Sequence, residues 1–141
     1  MDNIHTNSIL VLYFIASAFA YLLAGSIAFL LAYSGIASIE LSMVFIGWFF
    51  GFVMMMVFGL SYMFVPGFAH SRYASYKMVA IEYAFLNIGI VAFMAFGFAN
   101  MHRGALYGAV IVFVGIIMHV YNMAAMLIRR RKQQSGMASQ P

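Results

Sequence analysis

Four long apolar stretches, separated by short polar segments, dominate this sequence. They run over residues 8–33, 40–65, 77–100 and 104–128, with ends placed to within a few residues. A helix needs about 20 mainly apolar residues to cross the hydrocarbon core of a bilayer. Each stretch reaches that length, so the sequence predicts an all-α fold. The expected architecture is one domain over residues 1–128, a bundle of four transmembrane helices.

The composition explains why water is the wrong solvent for such a bundle. Hydrophobic residues make up 66% of the chain and charged residues only 7%, whereas soluble domains have about 25% charged residues. A short chain with so little polar surface is expected to contact a lipid bilayer as a multi-pass protein of the cell membrane. Four of the seven basic residues form one run, Arg129 to Lys132, beside an apolar stretch. That position is typical of a topology signal, so no nucleic-acid binding is expected.

The distribution of basic residues predicts how the bundle is oriented. With both termini inside, the inner side carries six Lys and Arg residues and the outer side carries only Arg103. Short cytoplasmic loops are enriched in Lys and Arg. The sequence therefore predicts an N-in/C-in bundle, followed by a basic, disordered cytoplasmic tail over residues 129–141.

Small residues recur along the second and fourth stretches at helical spacing. In lipid, such stripes let helix backbones approach closely. The spacing of two glycine pairs, GxxxG, leaves open whether the partner helix lies in the same chain, in another membrane subunit or in a second copy. The residues predicted to pack in this way are Gly47, Gly51, Gly59, Gly104, Gly108 and Gly115.

Two ionisable residues, Glu82 and His119, fall inside the predicted spans. A charge at the bilayer centre costs about 2.5–3.5 kcal/mol on insertion scales, so such residues are usually paired or functional. Tyr62, Asn87 and Asn122 lie in the same half and complete a predicted proton or polar cluster. Glu82 and Asn87 point ~140° apart on one helix and cannot both face one partner, whereas His119 and Asn122 can.

Each ionisable residue keeps an alternative reading. Glu82 could extend toward water or toward Lys77 near the membrane surface, or it could bind a proton or a ligand. His119 could form a neutral hydrogen bond between helices, or it could ligate heme iron or a metal.

Motifs of soluble enzymes are absent from the sequence. It contains no P-loop, no GxSxG and no HExxH, and it has three acidic residues and no cysteine. Thiolate catalysis and cysteine-ligated iron–sulfur clusters are therefore excluded. We expect a protein that is not catalytic by itself, and the residues alone identify no metal.

The stretch over residues 51–89 carries a resemblance to a known family. It reads GFVMMMVFGLSYMFVPGF, then HSRYASYKMVAIEYAFLNIG after one intervening residue. It resembles the helix-pair pattern of heme–copper oxidase catalytic-subunit-like membrane proteins, including short four-helix and nitric-oxide-response members. The matching residues are Gly51, Phe52, Gly59, Tyr62, Pro66, Asn87 and Gly89.

The resemblance also has departures. Met63 and Glu82 stand where family members place histidines for heme iron or copper. The resemblance therefore implies a relative without the full catalytic set. That relative would be an accessory or structural subunit of a respiratory oxidase-like or oxygenase-like complex. It would either hold one heme through His119 with Met63 opposite, or hold no cofactor.

Two other functions remain open from the sequence. One is a small proton-coupled transporter acting as a dimer, in which Glu82 would exchange its proton for substrate. The other is a cofactor-free scaffold that packs against other membrane subunits.

Overall fold

The computed structural model describes the backbone of residues 2–36, 40–69 and 75–138, and the side chains of residues 9–36, 40–66 and 75–128. Within these ranges every regular element is helical. The elements are α1 (Asp2–Tyr33), α2 (Leu41–Gly47), a π-helical segment (Trp48–Met54), α3 (Met55–Ala69), α4 (Tyr76–Phe98) and α5 (His102–Ala138).

Four parts of these helices are long and apolar enough to cross a membrane. They are Ile9–Tyr33, Leu41–Pro66, Tyr76–Phe98 and His102–Ile128. The second combines α2, the π-helical segment and α3 into one continuous span. Large apolar side chains such as Leu23, Phe113 and Val120 are mostly exposed on the outside of the bundle, where they fit contact with lipid. These features confirm the predicted all-α four-helix bundle and indicate a multi-pass membrane protein.

Two helices extend beyond their predicted ends. α1 begins at Asp2, not near residue 8, and α5 continues to Ala138. The backbone of residues 129–138, which the sequence analysis assigned to the predicted tail, is thus described as helical, and residues 139–141 lie outside the described ones. Arg, Lys and Gln are good helix formers, and no proline interrupts them before the end of the chain, so α5 does not stop where the apolar span stops.

The spans form two antiparallel pairs, α1 with the second span and α4 with α5, and the α4–α5 contact is the most extensive. A tight turn joins α4 to α5. Asn100 has a φ of 57°, a left-handed conformation that asparagine tolerates. The amides of Asn100 and Met101 bond back to the carbonyls of Gly97 and Phe96 at 3.0 and 2.8 Å. These bonds close the end of α4 and turn the chain back so that α5 runs antiparallel to α4.

The predicted packing glycines all face neighbours within the chain. A methyl group on Gly108 would overlap the backbone of Phe93, and one on Gly59 would press on Phe14. The other contacts are Gly47 with Met94, Gly51 with Tyr21, Gly104 with Phe96 and Gly115 with Leu86. The glycine stripes are therefore used for close packing inside the chain.

Candidate functional site

A buried polar cluster lies where α3, α4 and α5 meet, and we define it as Ser61, Tyr62, Glu82, His119 and Asn122. Its carboxylate is fully enclosed, since Glu82 has 0% of its surface exposed. Tyr62, His119 and Asn122 are also buried. The cluster therefore links the two helix pairs in the interior of the bundle.

Helical spacing explains why Glu82 points inward. It shares one stripe of α4 with three other buried residues at intervals of three and four. These are Val79, Leu86 and Gly89. Since α4 packs chiefly against α5, this stripe faces α5, where His119 and Asn122 also lie three residues apart on one face. The predicted shared partner of His119 and Asn122 is the carboxylate of Glu82.

The Glu82 carboxylate accepts hydrogen bonds from three side chains. Tyr62 donates its hydroxyl proton to Oε2, and the Asn122 Nδ2 amide donates to the same oxygen at 2.8 Å. The His119 Nδ1 lies 2.8 Å from Oε1. Three donors around two oxygens suit an ionised carboxylate, which only accepts. Of the two alternatives for Glu82, the one in which it extends toward water or Lys77 does not match this fully buried position.

The other ring nitrogen of His119 faces Ser61. Nε2 lies 3.1 Å from the Ser61 hydroxyl oxygen, and that oxygen also lies 2.7 Å from the carbonyl of Phe58. The Phe58 ring stacks flat on the imidazole, with centroids 3.8 Å apart and planes 2° apart. Tyr62 meets the imidazole edge-on. The imidazole is thus held on both nitrogens and on one face.

This arrangement accommodates two protonation states without moving a heavy atom. If His119 is neutral, Nδ1 donates to Glu82 and Ser61 donates its proton to Nε2. If His119 is protonated, both nitrogens donate, and Ser61 turns its proton to the Phe58 carbonyl. An aromatic face within about 6 Å also attracts a cation. The hydrogen bonds of the cluster can therefore be completed with a neutral or a protonated imidazole.

Buried apolar side chains lie next to the cluster on two sides. Val79 and Met126 lie one turn away toward the end of the bundle where α4 begins, and both are almost fully buried. On the α1 side, Phe14 is fully buried and its ring lies 6.0 Å from that of Tyr62. The Glu82 carboxylate thus lies in an enclosed site with apolar neighbours.

Asn87 does not join the polar cluster, so that part of the predicted cluster is wrong. It accepts a 2.9 Å hydrogen bond from the Tyr21 hydroxyl and donates one of 2.9 Å to the carbonyl of Tyr83. The ~140° separation from Glu82 explains this placement. Next to it, the Tyr83 hydroxyl lies 2.6 Å from the Ser17 hydroxyl. We call Ser17, Tyr21, Tyr83 and Asn87 the α1–α4 polar pairs.

Met63 lies apart from His119. Its side chain is 57% exposed on the outside of the bundle, whereas its neighbour Tyr62 points into the cluster. Met63 projects about 140° away from Phe58, the residue that covers the imidazole face. Because both nitrogens of His119 are hydrogen-bonded and Met63 faces outward, these residues do not fit a heme held between them.

Sequence reasoning missed Ser61 and the Ser17–Tyr83 pair. The only signal for Ser61 was its position beside Tyr62, since serines are common in membrane helices. Within the part of the chain that the structure describes, no three His, Asp or Glu side chains are grouped closely enough to hold a metal ion.

Comparison with protein-family models, with curated proteins and with solved structures finds no match to this chain.

Proposed function

We propose that this chain is a proton-coupled membrane protein of the transporter class. In it, Glu82 and His119 bind and release a proton as the two helix pairs move relative to each other. The observation that carries the proposal is the enclosed carboxylate–imidazole pair, whose surrounding hydrogen bonds remain complete with or without one extra proton.

Charge explains why proton uptake matters at this position. With a neutral imidazole the cluster carries one negative charge, and with an imidazolium it is a neutral ion pair. Uncompensated charge inside a membrane protein is costly, whereas a paired and hydrogen-bonded charge is tolerated. The protonated state therefore suits the enclosed arrangement, and proton loss favours an arrangement in which Glu82 reaches water.

The position of the cluster supports coupling to helix movement. Glu82 and His119 belong to the α4–α5 pair, while Ser61 and Tyr62 belong to the second span. Separating the pairs would break the bonds from Tyr62 and Ser61 and expose the carboxylate. A proton bound at this junction therefore stabilises the arrangement in which the two helix pairs are in contact.

The orientation belongs to the same proposal. Six basic residues at one end of the bundle against one at the other favour termini in the cytoplasm and location in the cell membrane. In that orientation the polar cluster lies in the cytoplasmic half of the bilayer.

Proton uptake by liposomes containing the purified chain tests the proposal. An internal pH dye records uptake driven by a potassium diffusion potential. We expect Glu82→Gln to reduce uptake by at least about tenfold, since it removes the charge that pairs with the proton. Glu40→Gln is the matched control, because Glu40 is exposed just before α2. Equal uptake by Glu82→Gln and the wild-type chain would rule the proposal out.

The second candidate is an accessory subunit of a membrane redox complex, in which the cluster only fastens the helices together. The resemblance over residues 51–89 and the full set of hydrogen bonds around Glu82 favour it. Neither candidate uses a heme between His119 and Met63. The glycine pairs give no separate argument for a dimer, because they are occupied within the chain.

Purification in mild detergent separates the two candidates. Companion oxidase-like subunits with a cytochrome spectrum, together with no Glu82-dependent proton uptake, would select the accessory subunit. A chain that purifies alone and takes up protons through Glu82 would select the transporter.

A further inference from the structure

Phe14 is in ring contact with both groups of polar side chains. Its ring lies 6.0 Å from that of Tyr62 in the polar cluster. It also lies 5.0 Å from that of Tyr83 in the α1–α4 polar pairs, at an interplanar angle of 70°. Phe14 is fully buried. The Cβ of Phe14 packs against Gly59, where a side chain would overlap it.

The α1–α4 polar pairs continue away from Phe14 along the junction between the helix pairs. The Ser17–Tyr83 pair comes first, and the Tyr21–Asn87 pair follows one helical turn later, about 6 Å further along both helices. One water molecule can bridge such a gap with ordinary hydrogen bonds.

Beyond these pairs lies a cavity of about 280 Å³ between α1, α2 and α4. Tyr21 stands at its polar end, and the rest of the lining is apolar and mostly small. The smallest lining residues are Ala24, Gly25, Ala28, Gly47 and Ala95. The row of polar groups therefore leads from the neighbourhood of Glu82 into an open part of the other half of the bundle.

We propose that the α1–α4 polar pairs are the exit route for the proton held by Glu82 and His119, and that Phe14 is the closed gate of this route. The inference deepens the proposed function and rests on it. A phenyl ring offers no donor or acceptor, so no hydrogen-bonded chain crosses Phe14 as long as it lies between the two tyrosines. Rotation of the Phe14 side chain, with α1 and its hydrogen bonds to α4 left in place, would withdraw the ring and join the two groups.

The titratable groups around Phe14 fit this route. Tyr62 faces it from α3 and Tyr83 faces it from α4. Behind Tyr62 lie Glu82 of α4 and His119 of α5. On α1 itself, Tyr13 contacts the ring of Tyr83 but is half exposed on the outer surface.

A matched pair of hydroxyl deletions gives the first test, using the same liposomes. Tyr83→Phe keeps the ring against Phe14 and removes only the hydroxyl that bonds Ser17. We expect it to slow proton uptake by about tenfold, as the loss of one hydrogen bond along the route would. Tyr13→Phe removes a hydroxyl from a neighbouring ring outside the route and leaves uptake at the wild-type rate. Equal rates for the two variants would overturn the gate and its route.

A second pair of variants opens the gate directly. Phe14→Ala should raise passive proton uptake above the wild-type level, and adding Glu82→Gln should abolish that increase. Phe19→Ala is the control, since Phe19 is largely exposed on the same helix. A folded Phe14→Ala variant that behaves like Phe19→Ala would overturn the proposal. If Phe14→Ala does not fold, the two tyrosine variants still decide.

The outcomes also separate this inference from the proposed function. Loss of uptake in Glu82→Gln, with no difference between Tyr83→Phe and Tyr13→Phe, keeps proton coupling and removes the gate. A wild-type chain without Glu82-dependent uptake removes both.

Discussion

The junction between the two helix pairs is built differently in its two halves. In the half that contains Glu82, directional hydrogen bonds connect α3, α4 and α5, and each polar side chain of the cluster has a partner. In the other half, α2 and α4 meet through methionines: Met43 lies over Gly97, and Met94 lies over Gly47. We call these the polar half and the apolar half of the junction.

Space and hydrogen bonding follow the same division. A cavity of about 280 Å³ lies in the apolar half between α1, α2 and α4. A second, of about 130 Å³, lies between the π-helical segment, α4 and α5. The Trp48 indole nitrogen, also in this half, is buried and has no hydrogen-bond partner among the residues that the structure describes. Methionine side chains are flexible and adapt to irregular gaps, whereas a satisfied polar network favours one arrangement. We therefore expect relative movement of the two helix pairs to meet less resistance in the apolar half than in the polar half.

The largest expected effect comes from breaking the Glu82–His119 pair. His119→Ala leaves the Glu82 carboxylate buried without its histidine partner, and losing one member of a buried pair typically costs about 3–5 kcal/mol. We expect the free energy of unfolding in detergent to fall by about that amount. His102→Ala, at the exposed start of α5, is the control and should change little. A loss below about 1 kcal/mol for His119→Ala would mean that the polar half is not the firmer one.

Matched glycine substitutions on the second span compare the two halves directly. In the polar half, Gly59→Ala places a methyl group against the Cβ of Phe14, which cannot move without its backbone. Overpacking of this kind typically costs about 1–3 kcal/mol. In the apolar half, Gly47→Ala meets only the end of the Met94 side chain, which can turn aside. Thermal unfolding in detergent should therefore show a clearly larger loss for Gly59→Ala, and equal losses would contradict the comparison.

Much of this fold follows from local sequence rules. Span length and the Lys and Arg distribution need no knowledge of tertiary contacts, so the four helices could be predicted from the sequence. The same holds for the angular argument that separated Asn87 from Glu82, because α4 is a regular helix over its whole length. Within a regular helix, residue spacing alone determines which side chains share a face.

The second span combines a predictable and an unpredictable feature. Counted from Gly51 at 3.6 residues per turn, Tyr62 lies ~20° from the glycine face and Met63 ~120° from it. Helical spacing therefore favours Tyr62 as the inward residue, and Met63 is 57% exposed. The π-helical segment Trp48–Met54 could not be predicted, because nothing in its residue types indicates the wider i→i+5 turns.

The smallest effect is expected from filling the larger cavity. Ala28 lines the 280 Å³ space in the apolar half, so Ala28→Leu adds three carbons where there is room for them. In lipid the added side chain gains packing contacts but little hydrophobic free energy, because the surrounding tails are equally apolar. The free energy of unfolding should change by less than about 1 kcal/mol. Ala18→Leu, on the same helix but fully buried in the core, should lose about 1–3 kcal/mol through overpacking. If both alanines tolerate leucine equally well, the core around Ala18 is packed as loosely as the apolar half. The two halves would then not differ in their resistance to relative movement of the helix pairs.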